Sequence, residues 1–175
     1  TAHLTCVAPA LAEAIKAPGS RIAIAVPAGF EVSKLFSGFL HPNARASIVI
    51  AELSTDRFEE IMAGMTDEAR AGKGIMDITR GRLERGDDHH FMTGTQNARG
   101  MDVDKFILLI KDEKGVGVVT ANVPKSAITD GDLTREAVLA ALASATLTDK
   151  TAPIVKQFTL PELGPFKEAG KIMGS

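Results

Sequence analysis

The sequence predicts an α+β fold in which one mainly antiparallel β-sheet is flanked by helices. Apolar and polar residues alternate with a period of two in several short segments, as in strands that bury one face. The two clearest of these segments are joined by the short turn Asp112-Glu113-Lys114-Gly115, and strands joined by a short turn must be antiparallel. Two further segments carry apolar residues at helical spacing.

The first strand is predicted at residues 21–26, where two isoleucines and Val26 share one face and Pro27 ends the pattern. The preceding residues 1–20 close with a Pro-Gly-Ser cluster that breaks regular structure. They are predicted to form an N-terminal arm, in which residues 11–17 are long enough for one helical turn.

Residues 27–39 contain three phenylalanines without a clean period and are predicted to form a loop over the core. Residues 46–53 are apolar on both faces, as expected for a central strand covered on two sides. An amphipathic helix is predicted at residues 56–69, because Asp56 followed by Glu59 is a helix-start pattern. Its apolar stripe consists of Phe58, Ile61, Met62, Met65 and Ala69.

Four strands are predicted in the second half of the chain, at residues 75–83, 91–96, 104–111 and 116–123. The arginines at positions 80, 82 and 85 are expected to point outward or to crowd a loop. The last two strands form the clearest hairpin, whose turn ends in Gly115, a residue type that tolerates positive φ.

The last helix is predicted at residues 134–147, with Thr134 as its N-terminal cap and an apolar face rich in alanine. Residues 21–148 therefore form the predicted α+β domain. Residues 149–175 are a tail that either ends the chain or begins a further unit.

Charge and hydropathy argue against nucleic-acid binding and against a membrane-spanning helix. The formal net charge of the 175 residues is −2, and the 20 Lys and Arg residues are scattered, so no nucleic-acid partner is predicted. No apolar run approaches the roughly 18 residues that a membrane-spanning helix needs, so no transmembrane segment is predicted.

Cys6 is the single cysteine, so no intramolecular disulfide can form. We expect it to be a small, half-buried side chain. The first residue is Thr1 rather than methionine, and either removal of a signal peptide or trimming of the chain would explain this start.

Asp87, Asp88, His89 and His90 form the densest group of chemically reactive side chains. Imidazole and carboxylate groups are ordinary zinc ligands, and in a loop these four could hold one ion. In a regular strand, neighbouring side chains point to opposite faces, so the two histidines could not meet at one ion. A solvated loop is the favoured interpretation, with a metal site as the alternative.

The segment 93–100, Thr-Gly-Thr-Gln-Asn-Ala-Arg-Gly, is predicted to be a structural turn or bulge. Gln96, Asn97 and Arg99 could donate hydrogen bonds to a partner and are the candidate binding residues. The segment lacks the lysine and the following helix that a phosphate-binding loop requires.

No catalytic residue is assigned. The chain has no Gly-x-Ser-x-Gly motif, and Cys6 lies in the predicted N-terminal arm outside any known catalytic motif. Carboxylate pairs such as Glu59 with Glu60 are common on solvated surfaces. A non-catalytic protein without a cofactor is therefore favoured over an enzyme.

The order of elements resembles the PsbP-like α/β-sandwich family, which includes Mog-type and bacterial DcrB-type proteins. The resemblance is carried by RIAIAVPAGF, by ASIVIAELSTDRFEEI, by TGTQNARG before DKFILLI, and by VGVVTANVP before a last helix. It implies a sheet of about six antiparallel strands between helices.

The resemblance also implies a function. Members of this family act as binding or accessory proteins, so we expect contacts with a protein partner, or with a second copy of this chain. A bacterial periplasmic or secreted location is expected, with the cytoplasm as the alternative. A metal-dependent hydrolase that uses residues 87–90 is the alternative function.

Overall fold

The computed structural model describes residues 12–152, and Cys6 and residues 153–175 lie outside the described part. The described residues form an α+β fold with two antiparallel sheets, which confirms the predicted fold class. The strands are β1 (Ile15–Lys16), β2 (Ile22–Ile24), β3 (Glu31–Val32), β4 (Gly38–His41), β5 (Ala46–Leu53), β6 (Ile75–Gly81), β7 (His89–Ala98), β8 (Met101–Lys111), β9 (Val116–Pro124) and β10 (Thr146–Leu147). The helices are α1 (Phe58–Ala63), α2 (Asp67–Ala71), α3 (Lys125–Thr129) and α4 (Arg135–Ser144).

The larger sheet has seven strands in the order β3-β4-β5-β9-β8-β7-β6, and the smaller sheet has the order β1-β2-β10. The predicted first strand therefore belongs to a separate small sheet. One edge of the large sheet is β6, whose pairing with β7 is interrupted between Met76 and Thr79. Asp77 lies at this bulge with a φ of 52°.

The main core lies between one face of the large sheet and a layer made of the small sheet, α3 and α4. Alternation along β8 places Phe106, Leu108 and Ile110 in this core. From the covering layer, Ile22 and Leu142 are fully buried against them. A smaller cluster of Met65, Met92 and Ile107 lies on the opposite face.

The predicted hairpin is confirmed. Lys111 pairs with Val116 across the turn, and Asp112 Oδ1 accepts hydrogen bonds from the backbone N–H groups of Lys114 and Gly115, both at 2.9 Å. Gly115 does not have a positive φ. It is needed for space, because a Cβ there would lie 2.9 Å from Nη2 of Arg21.

Arg21 joins the two sheets through a partly buried ion-pair network. Its Nε donates to Glu52 at 2.5 Å, and its Nη1 donates to Asp112 at 2.7 Å. The hydrogen bond from Arg21 lowers the pKa of Asp112 to about 2. Burial alone would raise the pKa of Glu52, but hydrogen bonds from Arg21 and Ser20 outweigh burial and lower it.

Two predicted elements differ from the structure. Residues 27–39 are not a continuous loop, because they contain β3 and the first part of β4, where Phe39 is fully buried. The predicted helix 56–69 is split into a 3-10 turn, α1 and α2. Thr66 rather than Asp56 provides a side-chain cap, since its hydroxyl accepts from the N–H of Ala69.

The last helix is confirmed as α4, where Thr134 Oγ1 accepts from the N–H of Ala137 at 3.1 Å. It ends at Ser144, and the two residues of β10 follow instead of a further helical turn. Residues 15–16 form a strand rather than a helical turn. Within residues 12–152, no helix is both long and apolar enough to span a membrane.

Candidate functional site

The hairpin tip, which we define as residues 97–100, connects the two longest strands, β7 and β8. Ala98 and Met101 form the last pair of the ladder. Between them, Arg99 has a φ of 53° and Gly100 a φ of 79°. Positive φ at both central residues is typical of the tight type I′ turn that joins twisted antiparallel strands.

Of the predicted binding residues, Asn97 stabilises this hairpin and Gln96 joins β7 to the segment before β6. Asn97 Nδ2 donates to Asp102 at 2.9 Å, and Asn97 Oδ1 accepts from the N–H of Gly100 at 3.2 Å. Gln96 Nε2 donates to the backbone carbonyl of Lys73 at 2.8 Å. Residues 93–98 lie in β7, so the predicted turn is confined to residues 99 and 100.

Arg99 differs from the other two candidates. It is exposed and makes no hydrogen bond or ion pair with any residue of the described range 12–152. Its left-handed backbone conformation is uncommon for a residue with a Cβ, and glycine or asparagine would adopt it with less strain. The turn therefore holds a cationic side chain in solvent on a rigid support.

The two histidines of the other candidate group lie in a strand. His89 pairs with Ile110 and His90 pairs with Leu109 across the β7–β8 ladder, so the two side chains point to opposite faces of the sheet. The imidazole of His89 is buried, whereas His90 is exposed and lies 6.1 Å from the ring of Phe58. In this arrangement they do not share an ion.

The contacts of His89 give its side chain a structural role. Its Nε2 accepts a hydrogen bond from the N–H of Leu83 at 3.0 Å, and its Nδ1 lies 3.1 Å from the carbonyl oxygen of Asp87. Because Nε2 accepts a hydrogen bond, the ring hydrogen lies on Nδ1, which donates to the carbonyl oxygen of Asp87. His89 thus fixes the loop between β6 and β7.

Arg85 connects the same loop to α4. Arg85 forms a two-pronged ion pair with Asp87, and this hydrogen-bonded pair lowers the pKa of the Asp87 carboxyl. The Nη1 of Arg85 donates to the carbonyl oxygens of Leu142 and Ala143, at 3.2 and 3.4 Å. A cation at the carbonyl end of a helix also interacts favourably with the helix dipole.

Asp88 is exposed beside this loop. Among residues 12–152, no three His, Cys, Asp or Glu side chains are grouped closely enough to hold a metal ion.

A cleft that the sequence did not predict lies on the sheet face opposite the main core. It has a volume of about 190 Å³ and runs between α1 and the ends of β6 and β7. We call it the arginine cleft, since Arg80 and Arg82 line it together with Met62, Met65 and His90. A larger, mostly apolar groove of about 530 Å³ lies between α4 and residues 25–30.

Only the outward direction of the arginines was a sequence signal for the arginine cleft. Its other wall comes from α1, a helix about 20 residues earlier in the chain, and that contact is not visible in local patterns.

Comparison with solved structures gives likenesses of fold. No family model and no curated protein matches the chain. A crystal structure of LpqN, described as involved in cell envelope biogenesis of Mycobacterium tuberculosis, is 18% identical in sequence, covers 73% of this chain and 83% of that chain, and superposes with a TM-score of 0.48. The PsbP-like family assignment stays a prediction, and the chain is identified by its α+β fold of two antiparallel sheets.

Proposed function

We propose that this protein is a non-catalytic binding or accessory protein of the bacterial periplasm or cell exterior, and that its hairpin tip contacts a protein partner. The observation that carries the proposal is Arg99, an exposed arginine held in a left-handed conformation by a fixed turn. Strained backbone positions that the surrounding structure maintains are concentrated at functional sites.

The tip is suited to contact because it is already ordered. Asn97 joins β7 to β8 through its hydrogen bond to Asp102, and Gln96 joins β7 to Lys73 in the segment before β6, so binding does not require the loop to lose conformational entropy. Arginine is enriched at protein interfaces and at their energetic centres. A guanidinium group pairs best with carboxylates, so the partner surface is acidic.

A photo-crosslinking amino acid at Ala98 tests this proposal in the native host. Ala98 is an exposed neighbour of Arg99. The matched control is the same amino acid at Glu113, an exposed residue in the turn at the opposite end of β8. We expect one discrete crosslinked protein from position 98 and none from position 113.

Charge variants of Arg99 then separate specific contact from chance proximity. Arg99→Glu should abolish the crosslink, and Arg99→Lys should keep most of it. An identical pattern from both crosslinker positions, or no effect of Arg99→Glu, would contradict the proposal. A product of twice the mass of the chain would identify a second copy as the partner, and recovery of the protein only from the cytoplasm would contradict the proposed location.

A further inference from the structure

We propose that the arginine cleft binds a small oxyanion of the phosphate-monoester class. This inference does not depend on the proposed function, because the cleft lies at the start of β7, whereas the hairpin tip lies at its other end. No predicted binding residue of the hairpin tip lines the cleft.

The size of the cleft fits such a ligand. Its volume of about 190 Å³ is many times the roughly 15 Å³ that a cavity needs to hold one water molecule. Met62 and Met65 supply adaptable apolar surface for an organic group. Arg80, Arg82 and His90 supply nitrogen donors for the anion.

The arginines have donors to spare. In the described part of the chain, Arg80 uses only Nη2, which donates to the carbonyl oxygen of Met65 at 2.7 Å and to Asp67 at 2.5 Å. Half of the Arg80 side chain and 68% of the Asp67 side chain are exposed, so water screens this pair. Arg82 is exposed and forms no ion pair within residues 12–152.

A further cation lies next to the cleft, since Nη2 of Arg70 donates to the sulfur of Met65, a lining residue, at 2.8 Å. Burial lowers the pKa of Arg70, and the charge of Arg80 lowers it further. Burial likewise lowers the pKa of Lys105, and the charge of Arg70 adds to this effect. The Nε of Arg70 is buried without a hydrogen-bond partner in the described structure.

This arrangement favours an anion at the cleft. Like charges held close together raise each other's electrostatic energy, and a bound anion beside Arg80 relieves that repulsion. The planar guanidinium group matches the oxygens of a phosphate through two parallel hydrogen bonds. Lys111, whose Nζ lies 4.0 Å from the ring centre of Phe58, extends the cationic surface past His90.

Titration of the full chain with phenyl phosphate tests the inference, with phenol as the neutral probe of the same ring. Calorimetry and backbone amide NMR shifts should detect binding of phenyl phosphate, with the largest shifts at residues 80–82 and 89–91. Inorganic phosphate should bind more weakly at the same residues, and phenol should not bind. Rising salt concentration should weaken the binding of phenyl phosphate, because the cleft is open to solvent.

Arg82→Gln is the informative variant, since Arg82 has no structural partner in the described residues. We expect its affinity for phenyl phosphate to fall roughly fivefold, the upper end for a partly exposed ion pair. Arg45→Gln is the matched control, because it removes the same charge from an exposed position in the turn between β4 and β5. Its affinity should equal that of the wild type.

Three results would overturn the inference: equal loss of affinity in the two variants, equal binding of phenol, or the absence of detectable phosphate binding at low salt. Melting temperatures of both variants should match that of the wild type without ligand. This comparison separates lost binding from lost folding.

Discussion

Replacing Arg21 by methionine should destabilise the protein strongly, because the arginine connects three parts of the fold. Only 8% of its side chain is exposed. It donates to Glu52, to both carboxylate oxygens of Asp112, and to the carbonyl oxygen of Thr148. Methionine keeps the apolar stem but leaves the two carboxylates close together without their cation.

The expected loss in the free energy of unfolding depends on how deeply the carboxylate partners of Arg21 are buried. Removing one member of a fully buried ion pair costs about 3 to 5 kcal/mol. Because 35% of the Asp112 side chain is exposed and regains hydration, we expect the lower end, about 3 kcal/mol. For a domain of this size, such a loss lowers the melting temperature by about 8 °C.

Urea unfolding at a series of pH values is the assay. A carboxyl group whose pKa is lowered by folding stabilises the protein above its unfolded pKa, and this contribution disappears as the pH falls through the folded value. For Asp112, with a pKa of about 2 instead of 3.8, the loss falls between about pH 4 and pH 2. The stability gap between wild type and Arg21→Met should therefore narrow over that window.

Arg57→Met is the control, because Arg57 forms a solvent-exposed pair with Glu60, and such pairs contribute little to stability. If Arg21→Met costs no more than this control, or if the gap does not change with pH, the account of the network is wrong.

Three other substitutions test single contacts by the same measurement. Gly115→Ala should cost about 1 to 3 kcal/mol, as overpacking does, because its methyl group would meet a guanidinium nitrogen at 2.9 Å; Gly86→Ala, which has no atom within 4 Å, should cost nothing. His89→Leu should cost about 1 to 2 kcal/mol because the half-buried N–H of Leu83 loses its acceptor, whereas His90→Leu should stay within about 0.5 kcal/mol; equal effects would refute the assigned role of His89. Thr134→Ala should cost about 1 kcal/mol through loss of the helix cap, and Thr134→Ser should restore most of it.

Sequence patterns predicted the elements whose stability is local. Strand β5 has the predicted bounds 46–53, and β8 and β9 extend the predicted hairpin by a few residues. Helix α4 begins after its predicted cap. In each case periodicity, turn chemistry and capping indicate the same element.

Elements that depend on tertiary pairing were not predicted. Strands β1, β3 and β10 have only two residues each, so no periodicity exists to detect. The break between α1 and α2 follows Gly64, and none of the residues of either helix is buried. Weak burial removes the packing that would otherwise hold one long helix together.

The candidate sites also depend partly on local sequence patterns and partly on tertiary structure. The sequence placed polar residues at the hairpin tip, but their hydrogen bonds to Lys73 and Asp102 depend on strand register. His89 and His90 point to opposite faces because β7 begins at residue 89, two residues before its predicted start. The repulsion between Arg70, Arg80 and Lys105 joins residues that are 10 to 35 positions apart in the chain, beyond the reach of local patterns.

The bulge at Asp77 bears on how this protein behaves at high concentration. Within residues 12–152, β6 is an outer border of the large sheet, and its unpaired edge could otherwise recruit a strand from another molecule. The left-handed residue at the bulge interrupts the row of backbone donors and acceptors and places a carboxylate beside the gap. An intruding strand would lose hydrogen bonds at this point, so the irregularity opposes fibril growth along that border.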